Sequence, residues 1–181
     1  MAHTIHSVFL IRHCKASGQE AEAPLTAEGE SQAKVLCDLL SAEMPGRIVS
    51  SPFLRAQQSI HPLADRLGIE IEIDWRLAER NLGVATDGDW RTALRRSFQE
   101  SDLCLTGGES SSTAQARGRA VLDDILAPLK VPTVVVTHGN LLALIARSFK
   151  PELGFEFWES LTNPDVFRLI ERDGAFGIER I

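Results

Sequence analysis

Long apolar runs are missing from this 181-residue chain, and none approaches the length a membrane-spanning helix needs. The amino terminus carries no basic stretch followed by a long apolar one, so no secretory signal is expected. Cysteine is scarce. Cys14, Cys37 and Cys104 are odd in number and widely spaced, with no C-x-x-C pattern of the kind that holds a metal. A reduced, cytoplasmic setting is the expectation. Positive charge is also in deficit. The net charge of −6 argues against a sequence-independent nucleic-acid binder, which needs a basic face. Neither internal repeats nor low-complexity segments occur.

What is present is an ordinary globular composition, 44% hydrophobic and 24% charged, in a length that fits one domain (1–181) with a sizeable core. Val8 to Ile11 reads as a buried strand. Thr26 caps a helix running to about Glu43, whose apolar face is Ala33, Leu36, Cys37, Leu39 and Leu40. Arg47 to Ser50 is a short strand. Pro52 suits the start of the next helix, which Leu67-Gly68 ends. Ile69 to Ile73 alternates apolar and acidic residues, as an edge strand does. Helices are expected from about Asp89 to Glu100, from Ser110 to about Leu129 and from Asn140 to Phe149. Thr133 to Thr137 is the most strand-like run. Phe167 to Ile170 and Gly177 to Arg180 read as a closing hairpin. Strands alternating with helices predict an α/β fold, a three-layer α/β/α sandwich around a mostly parallel central sheet.

Val8-Phe9-Leu10-Ile11-Arg12-His13 is the most informative stretch. An apolar strand that delivers a cation and an imidazole at its carboxyl end is an odd device for stability alone, because charged groups are rarely buried without a partner. In open α/β sheets, ligands bind at those carboxyl ends. A second strand ends in Val136-Thr137-His138-Gly139. A third ends in Ser50-Ser51-Pro52, with Arg55 in the first turn of the helix after it. Adjacent parallel strands lie about 5 Å apart, so the three ends can converge. Two histidines and two arginines together need an anion, and arginine forks match phosphate oxygens.

These residues resemble the histidine phosphatase superfamily, also called the phosphoglycerate mutase-like family. The matching pieces are Leu10-Ile11-Arg12-His13; Pro24-Leu25-Thr26 with Gly29 and Gln32-Ala33; Ser50-Ser51-Pro52 with Arg55-Ala56; Leu77 with Glu79; Gly108-Glu109-Ser110 with Arg117; and Thr137-His138-Gly139. They occur in the family's order. The resemblance implies a phosphoglycerate mutase-like fold with a small cap region at about 80–108. It implies that His13 is the nucleophile and carries the phosphoryl group as phosphohistidine. Arg12, Arg55 and His138, with Gly139, would hold the phosphoryl oxygens. Glu79 would protonate the leaving alkoxide and then deprotonate the attacking water. No metal or other cofactor is implied, and the expected partner is a small phosphorylated metabolite. Two positions depart from the family pattern: Cys14 stands where Gly is usual after the histidine, and Gln19 stands where many members carry Asn. Gln19 is a further candidate for phosphate binding.

Competing readings attach to several residues. Glu109 rivals Glu79 as the acid, or simply favours the amino end of the helix it opens. A cysteine-phosphatase loop at Cys14 requires an arginine six residues later, where Glu20 stands. Gly107-Gly108 is followed by no Walker-type lysine. His3, His6 and His61 read as surface or structural. Arg91, Arg95 and Arg96 either form a solvated helix face or cover the pocket and bind a second anionic group. The expected function is a phosphatase for a small phosphomonoester. The alternatives are a cofactor-dependent phosphoglycerate mutase, a protein-phosphohistidine phosphatase and a non-catalytic phospho-ligand module.

Overall fold

Alternation along the central strands decides how the layers form. The computed structural model describes residues 7–85, 88–127, 131–172 and 175–181, with the Arg172 side chain excepted. The strands are β1 (Val8–Arg12), β2 (Arg47–Ser50), β3 (Ile71–Ile73), β4 (Thr133–Thr137), β5 (Asp165–Arg172) and β6 (Ala175–Arg180). They form one sheet in the order β3-β2-β4-β1-β5-β6. The first four are parallel, while β5 pairs antiparallel with β1, and β6 with β5.

Among the described residues, six α-helices flank the sheet: α1 (Ala27–Ser41), α2 (Leu54–Leu67), α3 (Trp90–Gln99), α4 (Ser111–Leu126), α5 (Gly139–Arg147) and α6 (Phe155–Glu159). Phe9, Ile11, Ile48, Val134 and Val136 face one side and pack against Leu36 and Leu40 of α1 and Ile60 and Leu63 of α2. Val8, Leu10, Val49 and Val135 face the other side, against Leu122 of α4, Leu141 and Ile145 of α5 and Phe155 of α6. Successive strand residues point to opposite faces, so two apolar layers follow from the sequence pattern. This is the three-layer α/β/α arrangement.

Local signals account for most element ends. Thr26 Oγ1 accepts the Gly29 N–H and caps α1. Gly68 ends α2 at φ 65°, a left-handed conformation. On α1, Leu39 lies off the buried stripe and is exposed, while Gly29 joins Ala33, Leu36, Cys37 and Leu40 inside. Pro52 does not open α2. Phe53 is the extended N-cap residue, and the helix begins at Leu54. Ile69 binds back to Ala64 through its N–H, so β3 starts only at Ile71. The helix after Ser110 is described to Leu126; Leu129 lies outside the described residues, as do His3 and His6. His61 is exposed, with its Nδ1 2.9 Å from Asp65 Oδ2. α6 has no counterpart in the sequence reading, because five residues are too short for a helical period to register.

The segment between Glu79 and Glu109 is drawn together at its base. Val84 and Thr106 form an isolated antiparallel bridge. A Cβ on Gly83 would lie 2.8 Å from both Gly108 N and Thr106 O. Asn81 donates its side-chain amide to Gly107 O and accepts the Glu109 N–H on its carbonyl. Beyond this neck, α3 rests against α6: Phe98 meets Phe155 edge-on, and the Arg95 guanidinium sits 4.0 Å from the Phe155 ring centre. Among the described residues, no helix is long and apolar enough to cross a membrane.

Candidate active site

Parallel pairing continues one residue past the strands and aligns three carboxyl ends. The His13 N–H donates to Thr137 O, and the Ser51 N–H donates to Val136 O. β4 lies between β1 and β2, so His138 falls between His13 and Ser51. The rings of His13 and His138 meet edge to face, 5.0 Å apart.

His13 is held in one protonation pattern. Its Nδ1 lies 2.6 Å from the carbonyl of Cys14. A carbonyl only accepts, so Nδ1 carries the proton and Nε2 keeps its lone pair. Arg55 donates Nε–H to that Nε2 at 3.1 Å. Burial lowers the pKa of His13 to about 4; the Cys14 hydrogen bond opposes this, and the charges of Arg55 and Arg12 add to it. The ring is therefore neutral near pH 7. Asn163 braces it from behind by donating Nδ2 to the His13 carbonyl.

Arg55 is almost fully enclosed. Its Nη1 donates to the carbonyls of Gln19 and Glu20, which fixes its fork beside His13. Arg12 is anchored by Nη1 to the Leu161 carbonyl. It passes so close to Gly139 that a Cβ there would sit 3.0 Å from Arg12 Nε. His138 is wholly buried, and its Nε2 lies 2.7 Å from Ser51 Oγ. Burial drives its pKa well below the usual value, and the nearby charges of His13, Arg55, Arg117 and Arg12 act in the same direction. Arg12 Nε, His138 Nδ1 and Asn140 Nδ2 are buried polar atoms with no hydrogen-bond partner among the described residues. Such orphans are rare in folded chains.

Glu79 lies at the amino end of α5, directly after His138. Its Oε1 accepts the N–H groups of Arg80 and Leu141, and its Oε2 accepts that of Asn140. Its charge acts on Arg12 and Arg55. Glu109 is occupied elsewhere, in a two-pronged pair with Arg117. Arg117 also donates to the carbonyls of Arg76 and Ala78, just ahead of Glu79. Glu109 thus belongs to the support of the Glu79 segment.

The structure brings His13, Arg12, Arg55, His138, Gly139 and Glu79 together. Gln19 is exposed, and its contribution to the site is a main-chain carbonyl. Cys14 is buried in the core beside Phe9 and Ile11, with its N–H bonded to Ser59 Oγ. Burial pushes its thiol up to about 11, so it stays protonated. Arg91 and Arg95 pair with Glu159 and Glu156 of α6, and Arg96 pairs with Glu100. Arg95 also stacks on the Phe155 ring of α6.

Four residues escaped the sequence reading. Ser51 stood inside a quoted motif without a role. Arg80 and Asn140 adjoin named residues, and the buried guanidinium of Arg80 reaches Ser97 Oγ and Asn140 Oδ1. Asn163, distant in sequence and next to a proline, carried no signal. Among the described residues, no group of three or more His, Cys, Asp or Glu lies close enough to hold a metal ion.

Comparison with known proteins defines the class. The family model described as "Histidine phosphatase superfamily (branch 1)" matches residues 8–180, and the chain belongs to that family. A relative from Yersinia enterocolitica, named as a probable phosphoglycerate mutase, is 30% identical over 76% of this chain and 72% of its own. A glucosyl-3-phosphoglycerate phosphatase of Mycobacterium tuberculosis is 27% identical over 71% of this chain and 65% of its own. Among solved structures, a mycobacterial glucosyl-3-phosphoglycerate phosphatase complexed with VO3 superposes with a TM-score of 0.79 at 22% identity, covering 97% of both chains. Phosphoserine phosphatase of Entamoeba histolytica, complexed with 3-phosphoglyceric acid, gives 0.78 at 19% identity, covering 97% of this chain and 96% of its own. These likenesses establish the phosphoglycerate mutase-like fold.

Proposed function

We propose that this protein hydrolyses a small phosphomonoester through a phosphohistidine intermediate. The observation that carries this reading is His13. It is a neutral imidazole with Nδ1–H committed to a carbonyl, Nε2 directed at the Arg55 guanidinium, and a second, buried histidine 5.0 Å away. Such a ring is a nucleophile in waiting.

In the first step, Nε2 forms a bond to phosphorus as the bond to the ester oxygen breaks. Arg12, Arg55 and His138 hold the three remaining oxygens, supplying the alignment and charge on which phosphoryl transfer depends. Arg55 exchanges its contact with Nε2 for contacts to those oxygens. Glu79, within the same pocket and protonated before this step, gives that proton to the departing alkoxide. In the second step, Glu79 takes a proton from water, whose oxygen bonds to phosphorus as the N–P bond breaks. Inorganic phosphate leaves, and His13 and Glu79 return to their starting states.

A phosphatase is favoured over a mutase by the cap. The drawn-in neck at Gly83 and Gly108 leaves a short segment above the pocket, and Arg91, Arg95 and Arg96 are already ion-paired. A mutase must keep water from phosphohistidine and hold a substrate bearing a second anionic group. The probable mutases among the relatives keep this second reading in play. The two are separated by supplying 3-phosphoglycerate with a bisphosphoglycerate primer. Efficient formation of 2-phosphoglycerate without comparable phosphate release would overturn the phosphatase reading. A screen of phosphorylated metabolites, read as phosphate release and lost in His13→Ala, tests it directly. Three free thiols fit the reduced, cytoplasmic setting proposed for this enzyme.

A further inference from the structure

Ser51 is fully enclosed, so water does not reach its hydroxyl. Its Oγ already accepts the Phe53 N–H at 3.2 Å. It therefore has one hydrogen to donate, and among the described residues the only other hydrogen-bond partner of its Oγ is His138 Nε2 at 2.7 Å. A neutral imidazole carries a single ring proton, which leaves two arrangements. With the proton on His138 Nδ1, Ser51 donates to Nε2, and its hydroxyl is satisfied as both donor and acceptor. With the proton on Nε2, Ser51 accepts twice, and its own hydrogen is buried without an acceptor. Only the first arrangement leaves no stranded donor on the serine.

The consequence falls on the other ring nitrogen. His138 Nδ1 is buried and has no hydrogen-bond partner among the described residues. Phosphoryl oxygens accept hydrogen bonds and never donate them at an ionised group. An Nδ1 that carries the proton binds such an oxygen, whereas a bare Nδ1 presents a lone pair to it and repels it.

We propose that Ser51 is a positioning residue that fixes the tautomer of His138, keeping the ring proton on Nδ1 so that this atom donates to a phosphoryl oxygen. The second half of this statement rests on the phosphatase reading above; the tautomer itself does not. The division of labour runs across two strand ends, with β2 supplying the serine and β4 the histidine.

The test is the ring protonation of His138 in phosphate-free protein near neutral pH. It is read from long-range proton–nitrogen correlations and assigned by the signal lost in His138→Gln. Wild type should show the proton on Nδ1. Ser51→Ala should move it, in whole or in part, to Nε2 and weaken binding of vanadate by about tenfold, the worth of one hydrogen bond to a charged group. Ser51→Thr, which keeps the hydroxyl, should restore both. A proton on Nε2 in the wild type, or an unchanged tautomer in a folded Ser51→Ala, would overturn the assignment. The wild-type spectrum decides even if the alanine variant does not fold. Failure of vanadate to bind wild type, with the tautomer as expected, would instead overturn the phosphate-pocket reading.

Discussion

Arg12 rests directly on Gly139: a Cβ on that glycine would approach Arg12 Nε to 3.0 Å, Cζ to 3.1 Å and Nη2 to 3.2 Å. The guanidinium is tethered at its far side to the Leu161 carbonyl, so it has little room to withdraw. The helix needs nothing special from this glycine, which begins α5 with ordinary backbone angles. Gly139→Ala should therefore lower kcat/KM by about tenfold or more, because small displacements of a phosphate-holding group are costly. Equal activity in the variant would show that Arg12 does not need its present position.

His13 ties stability to pH. Its folded pKa of about 4 lies below the ordinary 6.5 because of burial. The unfolded chain takes up a proton as pH falls through 6.5, and the folded protein does not until about 4, so stability is lost across that window as pH drops. The loss attributable to this residue is on the order of 3 kcal/mol. His138, shifted in the same direction, adds to the slope. Urea unfolding in phosphate-free buffer at several pH values between about 7 and 4.5 should show the decline, with a shallower one in His13→Gln. Identical slopes in the two proteins would contradict the buried neutral ring.

Glu79 and Glu109 should separate cleanly by leaving group. Glu79→Gln is expected to slow alkyl phosphates by about a hundredfold or more and p-nitrophenyl phosphate far less, because that leaving group needs little protonation. Glu109→Gln, which weakens the hold of Arg117 on the Glu79 segment, should instead cost about 1–2 kcal/mol of stability without a preference between substrates. A Glu79→Gln defect that is the same for both substrates would remove Glu79 from the role of acid.

The first strand, the two histidine-bearing strand ends and the capped helix after Thr26 were legible in the sequence, because periodicity and a side-chain cap are local. The positions of Arg12, His13, Arg55 and His138 followed once three strand ends were placed side by side. What stayed hidden depends on contacts remote in sequence. Asn163 reaches the His13 carbonyl from the far end of the chain, and the hydroxyl of Ser51 acquires meaning only beside His138. The start of β5 was obscured because Asp165 is a charged residue, buried only by virtue of its pair with Arg180. Leu39 belongs to the apolar face of α1 by sequence, but the contact stripe passes beside it.

Cys14 invites a chemical check. Its thiol is enclosed and held protonated, whereas Cys104 is exposed. A thiol-specific reagent applied to native protein should modify Cys104 rapidly and reach Cys14 and Cys37 only on unfolding. Cys14→Gly, the residue usual in the family, should retain activity within a few-fold and lose about 1–2 kcal/mol of stability, from the side chain withdrawn from the core. Rapid modification of Cys14 with loss of activity would show that the loop after His13 opens.

The neck at Gly83 and Gly108 is only one of two anchors of the segment between Glu79 and Glu109. At its base the legs are pinned backbone to backbone, Val84 to Thr106 and Glu109 to Asn81. Further along, α3 returns Leu94 and Phe98 to the core. Truncating either side chain is thus a core substitution, with the stability cost of one.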